Sequence, residues 1–187
     1  MAVMHRRYRF TVDEYERLAQ AAVLTQCDRV ELLDGEIVEM TPIGDRHASV
    51  VARLTSLFSR RLSDRSIVWV QNPIPLRVVR SMPQPDIALV RPRPDFYASG
   101  KPSPEDVLLV VEVMETSADT DRNMKLPLYA RAGIAETWLL DLTTDRVEMY
   151  RRPSAAGYRE TRTLARSERL APQAFPDVSL TVDDLLG

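Results

Sequence analysis

The segment Val107–Thr116, VLLVVEVMET, determines the predicted fold, because seven of its first eight residues are apolar and the other is Glu112. A short, nearly continuous apolar run is typical of a strand that is buried on both faces of a sheet. A carboxylate buried in such a strand is expensive unless it is compensated. Three compensations are open here: neutralisation of the carboxyl group, an ion pair with one of the many arginines, or a bound metal ion.

The composition around this segment is that of an ordinary globular chain. Its 187 residues suit one domain over residues 1–187, and no apolar run reaches membrane-spanning length. The N-terminal stretch MAVMHRRYRF has no apolar run after its charges, which argues against a signal peptide. Cys27 is the only cysteine, which excludes an internal disulfide and a cysteine-based zinc cluster. We expect a cytoplasmic protein with no membrane association and no organic cofactor.

The charged residues neither require nor exclude a nucleic-acid partner. The net charge of −2 gives no general attraction to nucleic acid, but acidic residues gathered at a metal site can hide a basic groove. Among the 25 basic residues, Lys101 and Lys125 are lysines, so 25 − 2 leaves 23 arginines. Each lysine is therefore a candidate for a role that arginine cannot fill.

Helix and strand signals follow the order α, ββ, α, βββ, β, α, ββ along the chain. This order predicts an α/β (α+β) fold with a mixed sheet flanked by helices and with additional N-terminal and C-terminal β-hairpins. The predicted elements are a helix capped by Thr11 and Glu14, a hairpin around Asp34–Gly35, a helix over 46–62, strands in SIVWVQ, IPLRVV, DIALV and VLLVVEVM, a helix over 121–132 with Asp121 as N-cap and Gly133 at its end, and a hairpin around 143–145.

Asp86 and Glu112 form the first candidate site. Asp86 opens the DIALV strand, 26 residues before Glu112 in the next strand. If the two strands are neighbours, as sequential strands often are, the two carboxylates meet at one spot. Close carboxylates repel each other, and a Mg²⁺ or Mn²⁺ ion would relieve both that repulsion and the burial of Glu112.

Lys125 has two possible roles. It lies four residues after Asp121, so the two side chains share a helix face and could form an exposed ion pair worth about 0.2–0.5 kcal/mol. Alternatively, Lys125 points back to the end of the Glu112 strand, where its ammonium group would orient a water or stabilise charge on a phosphate. Arginine suits that second role poorly, because its guanidinium is large and keeps its proton.

Three long stretches of the chain carry a family resemblance. PQPDIALV, then VVEVMETSADTDRNMKLPLYARAGIAETWLLDL, and upstream VELLDGEIVEMTPIGDRHASVVARLTSLF, resemble the Uma-two family of restriction-endonuclease-like proteins. That family belongs to the PD-(D/E)XK nuclease superfamily, and the resemblance runs from about Val12 to Arg151. It implies a restriction-endonuclease-like mixed sheet flanked by helices, with a metal site built on adjacent strands.

The resemblance also implies roles for individual residues. Asp86 and Glu112 match the metal-binding acids, and Val113 matches the residue whose backbone carbonyl contacts the metal. The superfamily lysine would stand at position 114, where this chain has Met114, and Lys125 matches the lysine that the family places on the following helix. The further implied site residues are Glu31 as an additional acid, Gln84 near the water at the metal, and Ser117 and Asp121 beside the lysine.

His47, on the long helix, has two readings: a general base, or a hydrogen-bonding residue near the site. With these residues, the family resemblance implies a Mg²⁺- or Mn²⁺-dependent endonuclease that hydrolyses phosphodiester bonds of DNA, as a homodimer suited to two antiparallel strands. One alternative, supported by Met114, is a catalytically decayed nuclease scaffold that serves as a DNA-binding or protein-interaction module. Another is an RNA or nucleotide hydrolase with the same site.

Overall fold

The computed structural model describes residues 7–25 and 27–187, so most of the stretch used above against a signal peptide lies outside the described residues. The helical elements are α1 (Val12–Gln20), α2 (Asp45–Leu62), α3 (Ala118–Thr120), a π-helical turn (Asp121–Lys125), α4 (Leu126–Arg131) and α5 (Val182–Leu186). The strands are β1 (Val30–Leu33), β2 (Glu36–Glu39), β3 (Ile67–Val70), β4 (Ile87–Val90), β5 (Val107–Met114), β6 (Glu136–Asp141), β7 (Arg146–Ser154), β8 (Gly157–Leu164), β9 (Arg169–Leu170) and β10 (Leu180–Thr181).

A mixed six-stranded sheet forms the centre of the molecule, with strand order β3-β4-β5-β6-β7-β8. All neighbouring strands are antiparallel except β5 and β6, which are parallel and are joined through the helical segment that contains α4. In the pairing of β4 with β5, Ile87 lies opposite Val111. Asp86, the residue immediately before β4, therefore lies opposite Glu112. The sequence predicted this placement for neighbouring strands.

The two faces of β5 contribute to two separate hydrophobic clusters, because successive side chains of a strand alternate between faces. Val111 and Val113 pack into the cluster formed with α2 and α5. Val110 belongs to the cluster on the opposite face, which includes Tyr129 of α4. Glu112 shares the parity of Val110, so its side chain enters the layer between the sheet and α4.

The N-terminal helix and hairpin pack together in a separate, smaller hydrophobic cluster that includes Met82. Thr11 and Glu14 make both hydrogen bonds of a capping box at the start of α1, as predicted. The predicted hairpin turn at Asp34 and Gly35 is also present, and β1 pairs antiparallel with β2. This hairpin positions Glu31, which lies on β1 and is buried.

The helix after β5 begins earlier than the sequence predicted, so Asp121 is not its N-cap. The helical segment starts at Ala118, and the backbone N–H of Asp121 donates to the carbonyl of Ser117 at 3.0 Å. Asp121 instead opens a π-helical turn that ends at Lys125, with Pro127 two residues further on. Gly133 does follow the end of α4, with a φ of 82°.

The predicted strand IPLRVV is also wrong. Residues 77–79 form a 3-10 turn, and the preceding Leu76 makes a single antiparallel bridge with Ser81. Pro75 removes a backbone donor from the middle of the segment, which weakens any ladder there. The chain therefore turns back on itself and returns to β4 through Met82, whose N–H donates to the carbonyl of Leu32 at 2.7 Å.

The fold is an α+β arrangement with a mixed sheet flanked by helices, as the sequence predicted. At the C-terminus, β9 and β10 form a short antiparallel pair of two residues each. Among the helices in the described part of the chain, none combines the length and apolar character needed to cross a membrane.

Candidate functional site

A cleft of about 980 Å³ opens at the end of the sheet where β4 begins and β5 ends. Its walls come from the β1–β2 hairpin, the first turn of α2 and the helical segment after β5. Its lining carboxyl groups are those of Asp28, Glu31, Glu39, Asp86, Glu112, Glu115 and Asp121, and its lining basic residues include Arg29 and Lys125. The cleft is therefore strongly acidic and favours cations.

Asp86 is held at the start of β4 by contacts from three directions. Its Oδ2 atom accepts a hydrogen bond from the backbone N–H of Val113 at 2.9 Å and lies 3.0 Å from Nε2 of His47. Its Oδ1 atom accepts a hydrogen bond from the side-chain amide of Gln71 at 3.3 Å. These contacts fix the carboxylate beside the end of β5.

Glu112 is 1% exposed, and donors occupy both of its oxygens. Its Oε2 atom accepts a 3.3 Å hydrogen bond from the backbone N–H of Asp86. Its Oε1 atom accepts a 2.6 Å hydrogen bond from the hydroxyl of Tyr129 and lies 3.5 Å from Nζ of Lys125. In the described part of the chain, the cation paired with Glu112 is thus a lysine, not one of the arginines.

Lys125 is 6% exposed and lies among three carboxylates from three different elements. Its Nζ atom is 3.3 Å from Oε1 of Glu31, 3.4 Å from Oδ1 of Asp121 and 3.5 Å from Oε1 of Glu112. We call these four residues the acid–lysine cluster. Because Lys125 and Asp121 are both buried, their ion pair is not the simple exposed pair.

The acid–lysine cluster contains one ammonium group and three carboxyl groups, all buried. The pKa values of these groups shift because of that burial and because of the charges within the cluster. Burial lowers the pKa of Lys125, but the charges of Glu112, Glu31 and Asp121 outweigh it and hold the pKa above its ordinary value. Burial raises the pKa of Glu112 well above its ordinary value, and the charges of Asp121 and Asp86 raise it further, against the opposing effect of Lys125. Burial likewise raises the pKa values of Glu31 and Asp121.

His47 reaches the site from the first turn of α2. Burial disfavours its charged ring, but the hydrogen bond and the charge of Asp86 raise the pKa of His47 above its ordinary value. Among the described residues, its Nδ1 atom has no hydrogen-bond partner although it is buried. The contact with Asp86 fits the reading of His47 as a hydrogen-bonding residue at the site.

The other predicted positions lie around this centre, but not all of them point into it. The backbone N–H of Gln84 donates to Oε2 of Glu31 at 3.1 Å, whereas its side-chain amide reaches the carbonyl of Val30 at 3.4 Å. The hydroxyl of Ser117 donates to Oδ2 of Asp121. Met114, at the position of the superfamily lysine, is fully buried.

Tyr129 and Gln71 contact the site acids, although the sequence did not assign them to the site. Tyr129 is a buried core residue whose hydroxyl donates to Glu112. The usable signal was its spacing, because Tyr129 lies four residues after Lys125 and so shares its helix face. Gln71 follows β3, the strand that pairs with β4, and nothing in its local sequence marks it.

The donor atoms fit Mg²⁺ or Mn²⁺ better than softer metals, because the converging groups are carboxylate oxygens. Within residues 7–25 and 27–187, no three side chains of His, Cys, Asp or Glu are placed to hold an ion by themselves. Mg²⁺ is usually held by one or two carboxylates while it keeps several waters or substrate oxygens. The pair Asp86 and Glu112 fits that requirement.

Comparison with known proteins identifies the family. The model of the Uma2 family, described as "Putative restriction endonuclease", matches residues 12–183. The chain belongs to the Uma2 family. The resemblance found in the sequence is confirmed, and membership of the Uma2 family supports a nuclease-like role.

A solved structure shows the same fold. The crystal structure of "a putative nuclease belonging to DUF820" from Anabaena variabilis is similar with a TM-score of 0.72 at 16% sequence identity, and the match covers 95% of this chain and 97% of that chain. At this identity the likeness concerns the fold alone. Among curated proteins, none matches this chain significantly.

Proposed function

We propose that this Uma2-family chain is a metal-dependent endonuclease that hydrolyses phosphodiester bonds of DNA. The observation that carries the proposal is the meeting of Asp86 and Glu112 across two adjacent strands, in an acidic cleft and next to a buried lysine. Phosphodiester hydrolysis needs an activated water and positive charge near the phosphate oxygens. The cleft combines oxygen ligands for a hard divalent ion with a fixed ammonium group.

In this proposal Asp86 and Glu112 would hold Mg²⁺ or Mn²⁺, with the backbone carbonyl of Val113 as a further ligand. The ion would supply a water of lowered pKa and positive charge near the phosphate oxygens. His47 keeps the carboxylate of Asp86 in place through the 3.0 Å contact with its Oδ2 atom. Lys125 supplies the second positive charge, from the helical segment and not from position 114.

A decayed scaffold without cleavage activity is the second candidate, and Met114 is the observation that favours it. However, the acid–lysine cluster keeps three carboxyl groups buried, which opposes folding unless each is compensated. The buried Lys125 places an ammonium group beside Glu112 despite the methionine. The geometry therefore favours an active enzyme.

A nuclease assay distinguishes the candidates. Plasmid DNA, single-stranded DNA and RNA are incubated with the protein in Mg²⁺, Mn²⁺ or EDTA. We expect cleavage of DNA with either ion, none in EDTA, and a loss of about 100-fold or more in Asp86→Ala, typical of removing a group that acts at the reacting centre. Asp64→Ala is the matched control, because Asp64 is exposed and does not line the cleft.

Each other outcome of this assay has a meaning. Cleavage that persists in EDTA, or in Asp86→Ala, contradicts the metal-dependent mechanism. Preference for RNA retains the site but changes the substrate. Absence of cleavage with every substrate and ion supports the decayed scaffold.

We also propose that the protein acts as a homodimer, because two-fold symmetry suits the cutting of two antiparallel DNA strands. Light scattering after gel filtration should then give a mass near twice that of the 21.3 kDa chain. A monomer that still makes double-strand breaks would contradict this part of the proposal.

A further inference from the structure

Each carboxylate of the acid–lysine cluster divides its two oxygens in the same way. One oxygen of Glu31, Glu112 and Asp121 lies 3.3–3.5 Å from the ammonium group of Lys125. The other oxygen accepts a hydrogen bond from a second donor. These donors are the backbone N–H of Gln84 for Glu31, the backbone N–H of Asp86 for Glu112, and the hydroxyl of Ser117 for Asp121.

We propose that the ammonium group of Lys125 fills a cation position between Glu31, Glu112 and Asp121, so that the wild-type chain takes one divalent ion, at Asp86 and Glu112. Glu31 and Asp121 then position the lysine and are not ligands of the ion. This inference rests on the proposed function, since it assumes the metal-binding role of Asp86 and Glu112. It departs from the family resemblance, which implied Glu31 as a further acid of the site.

The arrangement of donors supports this division of roles. Glu31 and Asp121 are both about 2% exposed and both have each oxygen engaged, so an ion could reach them only by displacing Lys125 or another donor. Glu112 is as buried and also has both oxygens engaged, but the hydrogen bond to its Oε2 atom is 3.3 Å long, compared with 3.1 Å for Glu31, and it comes from Asp86, which carries the other proposed ligand. Asp86 is more exposed than the cluster acids and lines the open cleft.

Charge balance points the same way. Three buried carboxyl groups around one ammonium group leave a local negative excess, which a single nearby divalent ion would neutralise. A second divalent ion would have to share the same three carboxylates with a buried lysine, and like charges so close in a low-dielectric site repel strongly. The lysine therefore takes the place that a second ion would otherwise occupy.

Titration calorimetry with Mn²⁺ tests this division. The wild-type chain should bind one ion, and Lys125→Met should bind a second, because the vacated carboxylates form a new oxygen site. Glu31→Gln should weaken Mn²⁺ binding by about tenfold, the lower end of the effect of a residue outside the coordination shell, whereas Asp86→Asn should weaken it by more than about 100-fold. Lys101→Met is the matched control, because Lys101 is the other lysine and pairs with Glu16 at the surface.

Lys125→Met leaves three buried carboxyl groups without their cation and could fail to fold without metal. The double variant Glu31→Gln/Lys125→Met removes one of those carboxyl groups together with the lysine. Compared with Glu31→Gln alone, it should gain affinity for Mn²⁺ by about tenfold or more if the lysine occupies a cation position. Circular dichroism in EDTA and in Mn²⁺ records folding of every variant.

The outcomes separate this inference from the proposed function. If wild-type protein binds one ion but Glu31→Gln weakens Mn²⁺ binding as much as Asp86→Asn does, Glu31 is a ligand and the inference is wrong, while the proposed function stands. If Lys125→Met and the double variant gain neither an ion nor affinity, the lysine does not occupy a cation position. If only the lysine-free variants bind Mn²⁺, the cation position is supported and the metal-dependent function fails. If no variant binds Mn²⁺, both fail.

Discussion

At the scale of single residues, Glu112 is a buried acidic residue in an apolar strand, and it marks the position of the candidate site. Its burial and the charges of Asp121 and Asp86 raise its pKa, so ionising this carboxyl group costs more free energy in the folded chain than in the unfolded chain. The contribution of such a group to stability is complete below its ordinary pKa of 4.5 and is lost as the pH rises through the raised value. Glutamine at this position has no carboxyl proton to lose, so it has no such dependence on pH.

We therefore predict that Glu112→Gln stabilises the protein in EDTA at pH 8, by about 1–3 kcal/mol, the cost of an incompletely compensated buried group. The gain should shrink toward zero near pH 4, where the native carboxyl is protonated in both the folded and the unfolded state. Urea unfolding of both proteins at pH 4, 6 and 8 measures it. A Glu112→Gln variant that is less stable at pH 8 would mean that Lys125 and Tyr129 compensate the charge fully.

Tyr129 leads to a second residue-scale prediction. Its hydroxyl donates to the carboxylate of Glu112, and hydrogen bonds to charged groups contribute about 1.5–3 kcal/mol, compared with about 0.5–1.5 kcal/mol for neutral partners. Tyr129→Phe should therefore destabilise the metal-free protein more than Tyr97→Phe, since the hydroxyl of Tyr97 donates to the neutral backbone carbonyl of Arg91 at 2.9 Å. Equal losses in urea unfolding would show that the hydroxyl of Tyr129 contributes no charge-assisted bond.

The residues of the site differ in how far the sequence could predict them. The sequence was sufficient to identify Asp86, Glu112 and Lys125 as candidates, because the charge of each is unusual for its segment or for the composition of the chain. The ion pair of Lys125 with Glu31 could not be predicted, because it depends on where the N-terminal hairpin packs in the tertiary structure. The hydrogen bond from the hydroxyl of Tyr129 to Glu112 also depends on the π-helical turn, which no local sequence pattern predicted.

At the scale of elements, segments with a strong period or a clear cap were predicted well, and segments governed by tertiary contacts were not. The helix over 45–62 has apolar residues at helical spacing, and strand 107–114 has a nearly continuous apolar run. Both elements formed as expected. Residues 74–79 are mostly apolar, but Pro75 prevents a regular ladder and the chain turns. Asp121 had the composition of an N-cap, but its carboxylate pairs with Lys125, so tertiary electrostatics decided its place.

The β1–β2 hairpin provides a prediction at this scale, because it carries Glu31 into the acid–lysine cluster. Gly35 and Gly133 have nearly the same left-handed φ, 80° and 82°. A Cβ atom at Gly35 would lie 2.7 Å from Cβ of Arg9 and 3.1 Å from backbone atoms, whereas a Cβ at Gly133 would meet nothing within 4 Å. Alanine at both positions therefore shares the conformational penalty but differs in the clash.

Gly133→Ala should cost about 1 kcal/mol for the left-handed backbone alone. Gly35→Ala should cost roughly 1–3 kcal/mol more, as overpacking does, and should also lower activity because Glu31 moves with the hairpin. Thermal unfolding and the plasmid assay measure the two effects. Equal unfolding temperatures for the two variants would show that Arg9 and its backbone yield without cost.

At the scale of the whole molecule, the charge distribution conflicts with a polyanionic substrate unless a cation is present. The chain carries a net charge of −2, and the cleft is lined by seven carboxyl groups against Arg29 and Lys125 among its basic residues. Protein affinity for DNA depends on positive charge that neutralises phosphates. A cleft of this character repels DNA in the absence of metal, so substrate binding and metal binding should be coupled.

This coupling gives the last prediction. Ca²⁺ also binds carboxylate oxygens, although with longer bonds and looser geometry than Mg²⁺, so it should neutralise the cleft with a different coordination geometry. Fluorescence anisotropy with a short duplex should show about tenfold or greater affinity in Ca²⁺ than in EDTA, at ionic strength matched with NaCl, because an added divalent charge offsets the acidic lining. Asp86→Asn should lose most of this gain, since it removes a proposed ligand, whereas Asp64→Asn should keep it. Equally tight binding in EDTA would place the DNA on another surface of the molecule, such as the arginine-rich exterior, and would separate DNA binding from the acidic cleft.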